Sequence, residues 1–310
     1  VTGRWRAGLP GAIAIVAVVL AGCGAGTSAG TVTPSGTALP TTAPTTAPST
    51  PGATTGRTTG RTTTAAPTSS TGTTTRTTPR TTSTTSRPPR TTTAAPGVPA
   101  GMAGADLTVL PSSARVVALT FDAGANADGL TSILGTLGAT GTPATFFLTG
   151  DFVDTFPARA RTIAAGGYTI GNHTQDHLDL TTLSDAKVDA QITSAQARIL
   201  AVTGQDPRPW FRFPFGARDS RTIADANDRG YACIRWTVDT LGWKGTSGGQ
   251  SAATVESRVL DGLRPGAIVL MHIGSNPDDG TTLDADALPR IVAGLRSRGY
   301  TPVSLDSLLS

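Results

Sequence analysis

From residue 115 to the C-terminus, short apolar runs alternate with helix-length amphipathic segments, and this alternation constrains the fold more than any other feature of the chain. The apolar runs at 115–121, 144–148, 168–171, 210–213, 231–238, 267–272 and 300–303 predict strands. The segments at 128–137, 157–165, 184–202, 220–229, 253–263 and 285–298 predict helices between them. Strand and helix in strict succession argue for an α/β fold with a parallel sheet, open or closed. Six or seven such units favour a distorted (β/α) barrel of about seven strands. In either architecture the reactive groups sit at the carboxyl ends of the strands, so polar residues that directly follow an apolar run become the candidates.

The composition divides the chain near residue 105. Residues 24–105 are dominated by Thr, Pro, Ala, Ser and Gly, which offer too little apolar surface to offset chain entropy, so a disordered tether is expected over 23–105. The remaining 106–310 is long enough to bury a full core. All 21 acidic residues lie from Asp106 onward, while eight arginines and no acid precede it, so the tail carries +8 and the domain −4. The basic balance belongs to the tail, which argues against nucleic acid as a partner. Residues 1–22 read as an export signal, with Arg4 and Arg6 before an apolar stretch too short to span a bilayer comfortably. Leu20-Ala21-Gly22-Cys23 resembles the bacterial lipobox, which implies lipidation at Cys23 and anchorage to the outer face of the cell membrane. An ordinary signal peptide or a short anchor is the alternative. Cys233 then has no partner for an internal disulfide and reads as a small buried apolar residue.

The strand ends carry a coherent set of side chains. The chain has three histidines, and each follows or closes an apolar run: His173 and His177 after 168–171, and His272 at the end of 267–272. Imidazole is the commonest transition-metal ligand and titrates near neutrality, so its confinement to these places is informative. Asp122 follows 115–121, Arg212 lies in Arg212-Phe213-Pro214-Phe215-Gly216, and Asp239 precedes Trp243. Each has an ordinary structural reading: a helix cap for Asp122, a surface ion pair for Arg212, a core ring for Trp243. Their joint occurrence at strand ends favours a site.

On these residues the chain resembles the polysaccharide deacetylases of carbohydrate esterase family 4, also called the NodB homology domain. Five motifs follow in family order: Thr120-Phe121-Asp122, His173-Thr174-Gln175-Asp176-His177, Arg212 to Gly216, Asp239 to Trp243, and Leu270-Met271-His272. The resemblance implies a hydrolase that removes acetyl groups from N-acetylated sugars of a polysaccharide, with cell-wall peptidoglycan as the expected partner. It implies a divalent cation, zinc by expectation and cobalt or manganese as alternatives, held by His173 and His177 to polarise the acetyl oxygen and acidify water. Asp122 is implied as the base, Arg212 as its orienting cation, and His272 as the acid that protonates the departing amine, with Asp239 a candidate to orient its ring. The Phe215 backbone N–H is implied as an oxyanion donor, and Trp243 and Leu270 as walls of the acetyl pocket. No obligate protein partner is implied.

Two positions depart from the family pattern. Most relatives carry two consecutive aspartates in the first motif, the second of them a metal ligand, and here Ala123 takes that place. Water, a shifted Asp122, or Asp128 from the following turn are the candidates for the vacancy. The fourth motif usually has a second acid before its tryptophan, where this chain has Gly242. Three competing functions follow from the same residues: an O-acetyl esterase, a noncatalytic wall-glycan-binding protein on the same fold, and a serine hydrolase built on Gly245-Thr246-Ser247-Gly248-Gly249. The last lacks the apolar strand that a nucleophile elbow requires.

Overall fold

The computed structural model of the chain describes residues 97–309; the signal and lipidation assignments, and the tether up to residue 96, lie outside them. Nine strands of the described residues form one curled, all-parallel sheet in the order β1 (Asp106–Leu107), β6 (Ala232–Ile234), β5 (Trp210–Phe211), β4 (Thr169–Asn172), β3 (Thr145–Leu148), β2 (Val116–Ala123), β8 (Ala267–His272) and β7 (Val238–Asp239), with β9 (Thr301–Val303) also paired to β2. The central strand β2, Val116–Ala123, is buried along nearly its whole length, and its β-branched, leucine and phenylalanine side chains fill both faces. It pairs with β3 (Thr145–Leu148), β8 (Ala267–His272) and β9 (Thr301–Val303), and its register sets Asp122 beside His272. Phe121 of β2 stacks on Phe146 of β3 with ring centroids 5.1 Å apart. Each such buried ring contributes about 1.5–3 kcal/mol through removal of apolar surface from water.

The helices follow the predicted segments closely: α1 (Leu130–Thr140), α3 (Pro157–Ala165), α4 (Asp185–Thr203), α5 (Ser220–Asp228), α6 (Ala252–Asp261) and α7 (Leu283–Ser297). Local chemistry fixes their ends. Capping boxes open α5 (Asp219 with Thr222) and α6 (Ser251 with Thr254), and left-handed Gly141 and Gly204 close α1 and α4. An additional helix, α2 (Gly150–Thr155), starts where the Thr149 side chain accepts the Phe152 N–H. Its six residues are too few for an apolar period to show in the sequence.

Two differences from the expected strands shape the site. The run 231–238 breaks into β6 (Ala232–Ile234), which pairs with β5 (Trp210–Phe211), and β7 (Val238–Asp239), which pairs with β8. Between them the carbonyls of Ile234 and Arg235 turn to the Arg212 guanidinium and Trp236 faces the cleft, so this stretch cannot continue the ladder. The second difference lies at the start of the domain. Strand β1 (Asp106–Leu107) pairs with β6, while Val109 bridges Ala267 of β8 and the Leu110 N–H donates to the Gly266 carbonyl at 2.8 Å. The segment 106–110 thus crosses from one limb of the curled sheet to the other. Val98 and Met102 are buried in the adjoining apolar cluster, so the folded part includes residues that the composition assigned to the tether. A threonine- and proline-rich average over a long window hides two well-placed apolar side chains.

Candidate active site

Asp122 and Arg212 form the floor of the site. Arg212 is completely buried, and its guanidinium donates to Asp122 Oδ1 at 2.7 Å, Thr120 Oγ1 at 2.9 Å, and the carbonyls of Arg235 at 3.0 Å and Ile234 at 3.3 Å. It lies 4.1 Å from the Phe147 ring centroid, and Gly171 makes room for that ring, since a Cβ there would sit 2.6 Å from it. A buried guanidinium with these partners is fixed in one geometry, which in turn fixes the carboxylate. Burial opposes the charge on Asp122, but Arg212, His173 and His272 outweigh it and hold its carboxyl below the usual carboxylate range. Asp122 is therefore ionised, with Oδ1 committed to Arg212 and Oδ2 turned to His173.

Strand β4 (Thr169–Asn172) delivers the two histidines through a turn that is strained and tightly held. Thr174 and His177 both have positive φ, 71° and 54°, costs of about 1–3 kcal/mol each that surrounding bonds must offset. Asn172 Oδ1 accepts the Thr174 N–H and Thr174 Oγ1 accepts the His177 N–H. The Asp176 N–H and carboxylate bond to the two ends of the Gln191 amide. The rings of His173 and His177 lie 4.8 Å apart, with Phe215 edge-on to His177 at 4.6 Å.

The lone pairs at this corner bear on a metal. His173 Nδ1 sits 2.8 Å from the Arg212 carbonyl, which only accepts, so Nδ1 carries the proton and Nε2 presents a lone pair. That lone pair lies 3.3 Å from Asp122 Oδ2. Burial lowers the His173 pKa, against the pull of Asp122, and burial together with His173 lowers that of His177 to about 4. Both rings are neutral at physiological pH. A neutral imidazole nitrogen and an ionised carboxylate oxygen facing each other are both electron-pair donors suited to a cation, and two donors about 2.1 Å from one tetrahedral ion lie about 3.4 Å apart. The spacing of His173 Nε2 and Asp122 Oδ2 thus suits two donors to one divalent ion, with the His177 ring beside that of His173. Among the described residues no three such side chains are already gathered at ligand spacing, which leaves further positions to solvent or to a shift of Asp122.

Asp128, the sequence candidate for the vacancy left by Ala123, is directed elsewhere. It is exposed, accepts a hydrogen bond from Ser275 Oγ at 2.6 Å and does not line the cleft. Ala123 itself is packed in the apolar core. Asp151 and Asp176, which the motif reading did not nominate, do line the cleft.

His272 stands opposite the histidine pair at the end of β8. The sequence nominated Asp239 to orient it, but Asp239 Oδ1 accepts the Leu241 N–H at 2.9 Å. The carboxylate in contact is Asp284 of α7, whose Oδ2 accepts the His272 N–H at 2.8 Å and lies 3.8 Å from Nδ1. Burial disfavours the imidazolium, yet Asp284, Asp122 and Asp239 together raise the His272 pKa above its ordinary value. Sequence reasoning missed Asp284 because an acid in the first turn of a helix is ordinarily a complement to the helix dipole.

The cleft encloses about 740 Å³ and is lined by Asp122, His173, His177, Asp239 and His272 together with the predicted walls Phe215, Trp243 and Leu270. Trp236 joins them and packs against Gly216, where a Cβ would meet its ring at 2.8 Å. Phe215 is 71% exposed and Trp243 46%, unusual for large apolar rings and typical of a surface that stacks on a ligand. Phe215 (φ 58°) and Leu241 (φ 58°) add two more strained positions at the rim. The serine-hydrolase alternative finds no elbow: Ser247 Oγ lies 3.4 Å from Asn276 Oδ1, and a short turn at Gly242–Lys244 precedes it instead of a strand. Cys233 is buried, and burial pushes its thiol pKa up.

A curled parallel sheet gathers an ionised carboxylate, a histidine pair and a third, acid-backed histidine at its carboxyl edge, the residue types of a hydrolytic α/β site. Comparison with known proteins agrees. The polysaccharide deacetylase profile matches residues 110–234. The chain is 32% identical over 198 residues to a peptidoglycan-N-acetylglucosamine deacetylase of Bacillus cereus, covering 64% of this chain and 70% of that one. It is 30% identical over 211 residues to the chitooligosaccharide deacetylase of Azorhizobium caulinodans, covering 63% and 97%. Among solved structures, a peptidoglycan N-acetylglucosamine deacetylase superposes with a TM-score of 0.60 at 31% identity, covering 65% of this chain and 91% of that one. A carbohydrate esterase family 4 pseudoenzyme from Bacillus anthracis superposes with a TM-score of 0.61 at 30% identity, covering 67% and 69%. The chain belongs to the polysaccharide deacetylases of carbohydrate esterase family 4.

Proposed function

We propose that this protein is a cation-dependent hydrolase that removes acetyl groups from N-acetylated sugars of a polysaccharide, with cell-wall peptidoglycan as its substrate. The observation that carries the reading is the convergence of Asp122, His173, His177 and His272 on one cleft, with Arg212 behind Asp122. When bound to His173 and His177, a divalent cation would polarise the acetyl carbonyl and make water more acidic. Asp122, ionised at neutral pH, accepts the proton of the attacking water through Oδ2, and Arg212 holds it in place. His272 donates a proton to the sugar nitrogen as the amide bond breaks, because an amine leaves poorly as its anion. The Phe215 backbone N–H serves the developing oxyanion, and Trp243 and Leu270 hold the acetyl methyl. Lipidation at Cys23, export to the outer face of the cell membrane and a tether into the wall belong to the same reading; they rest on the sequence and place the enzyme beside its substrate.

Acetate release from peptidoglycan, chitin oligomers and acetylated xylan, measured before and after EDTA with zinc, cobalt or manganese restored, tests the proposal. Release from the first two that EDTA abolishes and metal restores supports it. Release from xylan alone identifies an O-acetyl esterase. A second reading, a noncatalytic glycan-binding protein, is favoured by one observation: Ala123 replaces a ligand acid, and a pseudoenzyme is among the structural relatives. Glycan binding without acetate release under any metal would establish it.

A further inference from the structure

The loop before Trp243 and the first turn of α7 are built around one carboxylate. A Cβ placed at Gly242 would lie 2.4 Å from Asp284 Oδ1, 2.6 Å from its Cγ and 2.9 Å from Oδ2. The volume in which a side chain at 242 would begin is therefore filled by the Asp284 carboxylate, which is 3% exposed. Asp284 Oδ2 accepts the His272 N–H at 2.8 Å, and its Oδ1 is buried with no hydrogen bond. His272 Nδ1 is likewise buried with no hydrogen bond, 3.8 Å from Asp284 Oδ2. The unsatisfied ring nitrogen thus stands beside Asp284 through Oδ2, while Oδ1 lies nearest Gly242; a small ring rotation brings a protonated Nδ1 within hydrogen-bond distance of the carboxylate. Asp239, the acid nearest in the motif order, spends Oδ1 on the Leu241 N–H.

We propose that Asp284 is the positioning acid for His272, and that the acid missing from the loop at 242 has been relocated to α7, with Gly242 as the space it requires. A carboxylate on Nδ1 fixes the tautomer and turns Nε2 to the cleft. The relocation changes the mechanics of the site. An acid in the loop would move with Trp243, whereas Asp284 is carried by a 15-residue helix packed on α1 and α6, so the orientation of His272 is independent of loop motion.

The role of Asp284 in turnover rests on the deacetylase reading, and two experiments separate them. In full-length, metal-loaded protein, Asp284→Asn should lower kcat about 10²-fold while KM and bound metal stay within twofold, as expected for a weakened general acid. Gly242→Asp combined with Asp284→Ala should recover at least tenfold over Asp284→Ala alone; Gly242 does not have a positive φ, so its backbone admits the new side chain. Independently of activity, 15N-histidine NMR resolves all three imidazoles. Asp284→Asn should shift the His272 titration to lower pH and change its Nδ1 signal, leaving His173 and His177 in place. An unchanged His272 spectrum overturns the proposal, as does an unchanged kcat in a folded Asp284→Asn protein. Wild-type protein that releases no acetate but shows the NMR change sinks the deacetylase reading and keeps the positioning role.

Discussion

Arg212 and Asp122, 90 residues apart in the chain, meet at 2.7 Å in a place where the guanidinium has no exposure to solvent. Removal of one partner from such a pair leaves an uncompensated buried charge. Arg212→Ala should therefore cost about 3–5 kcal/mol of stability, and Arg212→Lys should recover only part of it, because an ammonium cannot serve the four acceptors the guanidinium spans. Urea denaturation midpoints of the variants check this; an Arg212→Ala protein as stable as wild type would refute it.

The pH profile of turnover should be wide. Asp122 must be ionised, so activity is lost as pH falls through its depressed pKa, below the ordinary carboxylate range. His272 must be protonated, so activity is lost as pH rises through its elevated pKa, above 6.5. Arg212→Met should move the acidic limb upward, since it removes the strongest of the interactions that hold Asp122 ionised. A kcat/KM profile from pH 3 to 10 gives both limbs.

Cation binding should depend on the histidine pair and tolerate acid. In the metal-free protein His177 stays neutral down to about pH 4, because burial and His173 oppose its protonation. Zinc should thus be retained well below pH 6.5 and lost as protonation at last competes. His173→Ala should abolish binding by calorimetry. His272→Ala should leave binding intact while it reduces turnover by roughly 10²–10⁴.

The histidine turn should be vulnerable from outside the motif. Gly150 lies against Gln175, where a Cβ would sit 1.9 Å from Oε1, and its N–H donates to the Thr174 carbonyl at 3.0 Å. Gly150→Ala should push the Gln175 amide out of its place, and the lost packing beside the turn should weaken cation affinity about threefold without a change in any donor atom. Equal zinc affinity in the two proteins would count against this coupling.

Among the described residues, six of the seven helices were legible from their amphipathic period, and the main strands because burial on both faces of a parallel sheet writes continuous apolar runs into the chain. The histidines, Asp122 and Arg212 were legible because strand ends are where such sheets expose side chains. What escaped notice was short or non-local: α2, β1, the buried Val98 and Met102, and the split of 231–238 around the carbonyls that Arg212 requires.

The order of motifs along the chain determined the sheet, the cleft and the chemical types gathered there. Which carboxylate serves which base was decided only by tertiary packing. Asp239 is near His272 in the motif order, yet it is bound to its own turn, whereas Asp284 arrives from α7 into room left by Gly242. Asp128 follows Asp122 closely in sequence and still points to Ser275. Short-range patterns record burial and backbone preference, but the pairing of charges depends on distances between distant segments, which exist only once the core has closed.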